Sequence, residues 1–199
     1  RADVALAKEV TAQLAGVMTL EGVIGLVHLR GQLFDTVPAG GMLSVPLSEA
    51  DLGPWLGDLD IASVNAPELT VVSGPDAALK DLAARLEAAG IESTRIAIDI
   101  AAHSKMLEPI LERFRAHLRG MVLSAPRIPI ISNRSGKVLT DAEATSPDYW
   151  VAHLRGTVRF ADGIRTLREK ADRVYLEVGP GRALATLAQA NGVMGGQPV

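Results

Sequence analysis

Cysteine is absent from this 199-residue chain. That excludes disulfide staples, thiolate nucleophiles and cysteine-ligated zinc or iron–sulfur centres. Aromatic residues are scarce, at 4 % of the sequence. Trp55, Tyr149, Trp150 and Tyr175 are scattered and offer no platform for stacked bases. Neither sign of charge dominates: 20 Lys and Arg stand against 23 Asp and Glu, a formal net charge of −3. With no basic run, non-specific nucleic-acid binding is disfavoured. No apolar run approaches the ~18 residues of a membrane span, so no membrane association is expected. The opening Arg1-Ala2-Asp3-Val4 lacks an initiator Met and the apolar core of a signal peptide. The expectation is a cytoplasmic, reducing environment and a piece of a longer polypeptide.

What the sequence does contain is apolar material, 48 % of residues, enough for one moderate domain or two small units sharing a core. The first 37 residues read as helix, with Val10, Leu14, Val17, Leu20, Val23, Ile24, Val27 and Leu33 or Phe34 forming a stripe, and Gly16 and Gly22 suggest a break between two helices. Pro38-Ala39-Gly40-Gly41 marks a boundary. Beyond it come a strand at Met42–Leu47, a helix capped by Ser48, strands at Asp60–Asn65 and Leu69–Ser73, a helix after Gly74-Pro75-Asp76 and a strand at Ser93–Ile98. Leu79, Leu82 and Leu86 share one helical face, and Gly90 stands where a left-handed C-cap belongs. The order β-α-β-β-α-β predicts a ferredoxin-like unit, with a four-stranded antiparallel sheet and both helices on one face.

After residue 100 the pattern predicts a helix over 104–118, with Pro109 tolerated only near its start. A short strand follows at Ile128–Ser132, then a turn at Arg134–Lys137 into Val138-Leu139. Helices are expected at 146–155 and 160–171, a buried strand at Val174–Val178 and a last helix at Ala183–Ala190 before a Gly-rich tail.

Two residues stand out chemically. His103 sits between a strand and a helix, where a loop presents an imidazole either to a cleft, for acid–base work, or to solvent. Arg30 lies late in an apolar helix. If buried it needs an anionic partner, a structural Glu or a substrate carboxylate; otherwise it snorkels to the surface. Gly179-Pro180-Gly181 lacks phosphate-loop spacing and reads as a tight turn. His28, His117 and His153 are expected on helix surfaces without a ligand set, so no metal is predicted.

Several stretches, in order, carry a resemblance: Leu14-Ala15-Gly16-Val17-Met18-Thr19-Leu20-Glu21, Arg30-Gly31 with Pro38-Ala39-Gly40-Gly41-Met42, and Val64-Asn65-Ala66-Pro67 with Val71-Val72-Ser73-Gly74-Pro75. To these add Ala102-His103-Ser104 through Leu111, Tyr149-Trp150 through Phe160, and Leu176-Glu177-Val178-Gly179-Pro180. Together they resemble the acyltransferase domain of type I modular polyketide synthases and, more distantly, malonyl-CoA:acyl-carrier-protein transacylase. The resemblance implies an α/β fold: a partial α/β-hydrolase-like large subdomain at 1–38 and 100–199, with the ferredoxin-like small subdomain inserted at 39–99. It implies ping-pong transfer of a malonyl-type unit from coenzyme A, through a serine, to the phosphopantetheine thiol of an acyl carrier protein, within a set of neighbouring synthase domains. Coenzyme A thioester is then a substrate, and no permanently bound cofactor is expected.

Carried over residue by residue, His103 matches the general base and Arg30 the arginine that holds the free carboxylate of the acyl unit. Val158 and Arg159 fall in the stretch that orients the histidine. Ile100-Ala101-Ala102-His103 matches the selectivity motif, which tends to read His-Ala-Phe-His for malonyl and Tyr-Ala-Ser-His for methylmalonyl. Ala102, as small as Ser, leaves room beside the substrate α-carbon, while Ile100 fits neither pattern. The nucleophile motif Gly-His-Ser-x-Gly, counted back without gaps, falls on Asp3-Val4-Ala5-Leu6-Ala7, with Ala5 in place of the serine. The chain is thus expected to be N-terminally incomplete. The alternatives are an inactive remnant with a structural or docking role and, less well matched, another α/β hydrolase.

Overall fold

The computed structural model describes residues 3–170, 172–179 and 181–193. The helical start divides into α1 (Asp3–Leu14) and α2 (Leu20–Phe34). The break is at Gly16, whose φ of +81° only glycine adopts readily. Gly22 instead lies in the first turn of α2, where its N–H donates to the Thr19 cap. The expected stripe is only partly the buried face. Val17, Val23 and Leu33 are buried, as are Ala12 and Leu26, whereas Val10, Leu14, Leu20 and Ile24 are exposed. Both faces of these helices carry apolar residues, so periodicity alone could not say which one meets the core.

The small subdomain matches its predicted topology. β1 (Gly41–Val45), β2 (Asp60–Ala66), β3 (Leu69–Gly74) and β4 (Thr94–Ile96) form one antiparallel sheet in the order β2-β3-β1-β4. Alternation along the strands divides its faces. Leu43, Val45 and Val72 pack against Leu52 of α3 (Glu49–Leu52) and Leu79, Leu82 and Leu86 of α4 (Asp76–Ala88). Each such leucine contributes about 1.5–3 kcal/mol by leaving water. Met42, Ala62 and Val71 point to the other face, where Ala102 meets them. Ser48 caps α3, and Gly90, at φ +77°, follows α4. β4 is shorter than Ser93–Ile98 because the chain curls at Ala97, where Ile98 N–H bonds Ile96 O at 2.8 Å.

The larger core joins α1, α2, α5 (Leu111–Arg119), α6 (Asp141–Ala144) and α7 (Pro147–Arg155) through residues such as Leu26, Leu107, Phe114, Leu118 and Trp150. Pro109 shapes its entry. The predicted helix over 104–118 is a 3₁₀ segment at Lys105–Ile110 followed by α5, so the proline, with no N–H to give, stays outside the α-helix. α8 (Phe160–Arg168) and α9 (Ala183–Ala190) follow. Ile128–Ser132 is no full strand: Ile131 pairs with Val138 in a single antiparallel bridge.

Val174–Val178 corrects the expectation of a buried strand. Val174, Leu176 and Val178 are 94 %, 83 % and 86 % exposed, and the segment pairs with no strand among the described residues. An apolar strand is stable only when its backbone is paired and its faces covered. What anchors the segment is Glu177, which accepts the Leu184 and Ala185 N–H groups at the start of α9 at 3.0 and 2.9 Å. Pro180, Ala171 and the tail from Met194 lie outside the described residues. No described helix is long and apolar enough to cross a membrane.

Candidate active site

His103 ends the loop that leaves β4, and the loop is held from several sides. Ser104, fully buried, donates to Ala101 O at 2.7 Å and accepts from Met106 N–H at 3.2 Å, capping the 3₁₀ segment. Lys105 N–H donates to Asp60 of β2 at 3.0 Å. Arg155, at the end of α7, reaches both Asp60 (3.2 Å) and Glu108 (3.4 Å). The loop is thereby tied to β2, to α7 and to its own continuation.

These ties hold His103 in an unusual conformation. Its φ of +58° makes it the one non-glycine residue with positive φ among the described residues. A left-handed non-glycine residue costs on the order of 1–2 kcal/mol, and such strain persists where surroundings over-determine it. Nδ1 of the ring lies 2.8 Å from Gly156 O. A carbonyl only accepts, so Nδ1 carries the proton of the neutral ring and Nε2 keeps its lone pair. That is the arrangement of a general base.

The carbonyl facing the imidazole Nδ1 belongs to Gly156, two residues before Val158 and three before Arg159. Those two residues serve the sheet and its surroundings. Val158 N–H bonds Ala62 O and Val158 O accepts Val64 N–H, each at 2.9 Å, which lays the segment parallel to the outer edge of β2. Thr157 Oγ1 adds a bond to Ile61 O at 2.8 Å. Arg159 N–H bonds Asn133 O at 2.6 Å. The Arg159 guanidinium holds both oxygens of Glu49, at 2.9 and 2.7 Å, and Asp162 at 2.7 Å. Burial lowers its pKa, but the bonds to Asp162 and Glu49 outweigh this and leave it above the usual value. Arg159 also lines a cleft of about 670 Å³ with Ser48, Val64, Arg165, Arg168 and Asn191; neither His103 nor Arg30 lines it.

Gly40 lies in the connection between α2 and β1 where it passes close to the sheet. A Cβ there would stand 2.8 Å from Gly74 O and 3.0 Å from Ala101 Cβ, so only glycine lets the loop before His103 sit this close to the sheet. Within the loop, Ile100 packs on the larger core, Ala101 is buried and Ala102 packs on the sheet face of Met42, Ala62 and Val71. The segment thus spans the junction of the two subdomains.

Arg30 is buried, 7 % exposed, on the α2 face that carries Val23, Leu26 and Leu33. Its guanidinium pairs with Glu9 of α1, also 7 % exposed, and lies 5.9 Å from the centroid of the Phe34 ring. Surface snorkelling is therefore excluded. α2 packs against the 3₁₀ segment that follows His103, so the helix bearing Arg30 adjoins the histidine's own support. His153 is buried too, at 8 % exposure, and stacks on Tyr149, which corrects its expected surface position.

Sequence reading missed Glu9 and Gly156. An acidic residue on the helix preceding that of the buried arginine was the available signal for Glu9. For Gly156 it was a glycine directly after a helix C-terminus, where a bare carbonyl is free to turn outward.

Known proteins resemble this chain over nearly its whole length. Residues 9–193 match the family described as "Acyl transferase domain". The Spectinabilin polyketide synthase system protein NorB of Streptomyces orinoci is 35 % identical over 183 residues, 89 % of this chain but 8 % of that protein. Mycoketide-CoA synthase of Mycobacterium tuberculosis is 38 % identical over 175 residues, 87 % of this chain and 4 % of the synthase. The acyl transferase domain of SpnD, solved in complex with 2-(pent-4-yn-1-yl)malonyl, superposes with a TM-score of 0.86 at 41 % identity. That match covers 90 % of this chain and 44 % of the solved one.

Proposed function

This chain belongs to the acyl transferase domain family, and from that premise we propose that it carries the base and the carboxylate seat of a polyketide synthase acyltransferase. The reaction is transfer of a malonyl-type unit from coenzyme A to the phosphopantetheine thiol of an acyl carrier protein. The observation that carries this reading is His103, held at positive φ and anchored at Nδ1 on Gly156 O.

In the first half-reaction Nε2 takes the proton of a serine Oγ as that oxygen attacks the thioester carbonyl carbon. The C–S bond then breaks, and the imidazolium returns the proton to the departing coenzyme A thiolate. In the second half, Nε2 takes the proton of the carrier's thiol. The sulfur attacks the acyl-serine ester, and the serine oxygen leaves with the proton. The Arg30 fork receives the free carboxylate of the acyl unit. Ile100 and Ala102 flank the substrate's α-carbon, and an Ala102 side chain leaves space for malonyl and for a branched homologue. The substituted malonyl group held by the SpnD domain supports a carboxylated substrate class. Coenzyme A enters as substrate, and the carrier protein and neighbouring synthase domains are the partners. The aligned serine position holds Ala5, within α1, so the nucleophile of this scheme is not supplied there.

The test is intact-mass analysis of the natural polypeptide that carries this chain, after incubation with malonyl-CoA. A covalent malonyl adduct that disappears in His103→Ala supports the reading. A polypeptide that contains no Gly-x-Ser-x-Gly elbow and takes up no acyl group returns the docking-module alternative, for which Ala5 is the favouring observation.

A further inference from the structure

We propose that Glu9 is an internal occupant of the carboxylate seat on Arg30, and that it sets how readily the site accepts an acyl donor bearing a free carboxylate. The inference rests on the acyltransferase reading above. Three observations carry it. First, the two groups come from different helices, 21 residues apart in sequence, and meet where both are nine-tenths buried. Arg30 is therefore already neutralised by the chain itself. Second, Glu9 engages Arg30 through Oε1 alone, while its Oε2 is buried with no hydrogen-bond partner. A guanidinium fork can receive both oxygens of a carboxylate, so Glu9 fills the seat imperfectly. Third, the Phe34 ring lies 5.9 Å from the guanidinium carbon, which helps fix Arg30 in place whichever carboxylate it faces.

A buried carboxylate with one unmatched oxygen is a displaceable guest, because desolvation of that oxygen is not compensated. A malonyl-type donor must evict Glu9 before its own carboxylate can pair. A donor such as acetyl-CoA has no carboxylate to seat and meets no such competition. Glu9 thus lowers the advantage that Arg30 would otherwise confer on carboxylated donors, and the identity of residue 9 becomes a determinant of specificity.

The experiment measures binding, so it does not depend on the nucleophile. Malonyl-CoA, acetyl-CoA and free malonate are each titrated calorimetrically into the 199-residue chain and into Glu9→Gln, which keeps the side-chain shape and removes the charge. The expected result is malonyl-CoA binding about tenfold tighter in Glu9→Gln, with acetyl-CoA affinity changed less than twofold. Malonate raises the melting temperature of Glu9→Gln but not of the parent, and the gain vanishes in Glu9→Gln/Arg30→Gln. A purely structural helix clamp predicts a lower melting temperature in Glu9→Gln with no malonate response. A folded Glu9→Gln that binds malonyl-CoA with the parent's affinity overturns the proposal. Failure of both thioesters to bind either protein, with malonate still stabilising Glu9→Gln, overturns the acyltransferase reading and leaves the seat standing. Should Glu9→Gln not fold, Glu9→Asp withdraws the carboxylate by one methylene, and a gain in malonate affinity is expected there too; its absence counts against the proposal.

Discussion

His103 and Gly156 are 53 residues apart in sequence, and the imidazole Nδ1 of one lies 2.8 Å from the carbonyl oxygen of the other. That contact assigns the two ring nitrogens different tasks. It also accounts for the left-handed backbone at His103, since the strain is held by the hydrogen bonds of Ser104, Lys105 and the ring itself.

Neutral His103 should be the Nδ1–H tautomer. Nitrogen-15 NMR of the ring, recorded well above its titration midpoint, distinguishes the two forms. A dominant Nε2–H tautomer would be incompatible with Gly156 O as the acceptor.

Two glycine-to-alanine changes should act in opposite directions. At Gly156 a Cβ would stand 2.8 Å from the backbone oxygen of Ala152, so Gly156→Ala must move the carbonyl that holds His103. A loss of roughly 1–3 kcal/mol is expected, together with a changed His103 tautomer ratio. Gly31 lies inside α2 and is exposed, and a methyl group added there would meet nothing within 4 Å. Gly31→Ala should therefore stabilise by about 0.5–1 kcal/mol. Urea midpoints of the two variants against the parent check both signs.

Tyr149 makes stability depend on alkaline pH. Burial raises its pKa above the usual value, against the opposing bond to Ser132. The unfolded chain therefore loses this proton first, near pH ~10, and the folded chain only at higher pH. The contribution is fully present below that point and declines as pH rises through the folded value. Compared with Tyr149→Phe, the parent should lose relative stability above about pH 10 and show a constant difference below it. A difference that stays flat up to about pH 11 would show that the phenol does not remain protonated inside the fold.

Ala102 should govern room at the substrate's α-carbon. Ala102→Phe is expected to shift binding from methylmalonyl-CoA toward malonyl-CoA by about tenfold, the usual value of one methyl group in an apolar pocket. Competition between the two thioesters, in the parent and the variant, measures the ratio. If the parent rejects methylmalonyl-CoA and the variant changes nothing, residue 102 does not face the acyl group. Its contact with Met42, Ala62 and Val71 would then be its whole role.

Much of the small subdomain is encoded in local patterns. The β-branched run of Leu69–Ser73, the leucine spacing of α4, the Ser48 cap and the left-handed Gly90 all depend on neighbours within a few residues. They specified the small subdomain's sheet and helices with little ambiguity. His103 and Arg30 were legible as chemically unusual residues for the same local reason: an imidazole at a strand-to-helix junction, and a guanidinium on an apolar helix. Which groups face them is set by long-range packing. Gly156 O and the Glu9 carboxylate reach their partners across the chain, through packing of helices that no local period records. It also decided which apolar face of α1 and α2 is buried, because both faces satisfy the same pattern and only the neighbouring helices select one. The Val174–Val178 segment shows the same limit from the other side. Its composition is that of a buried strand, yet burial requires a pairing partner, and whether one is present is a property of the assembled fold and not of the five residues.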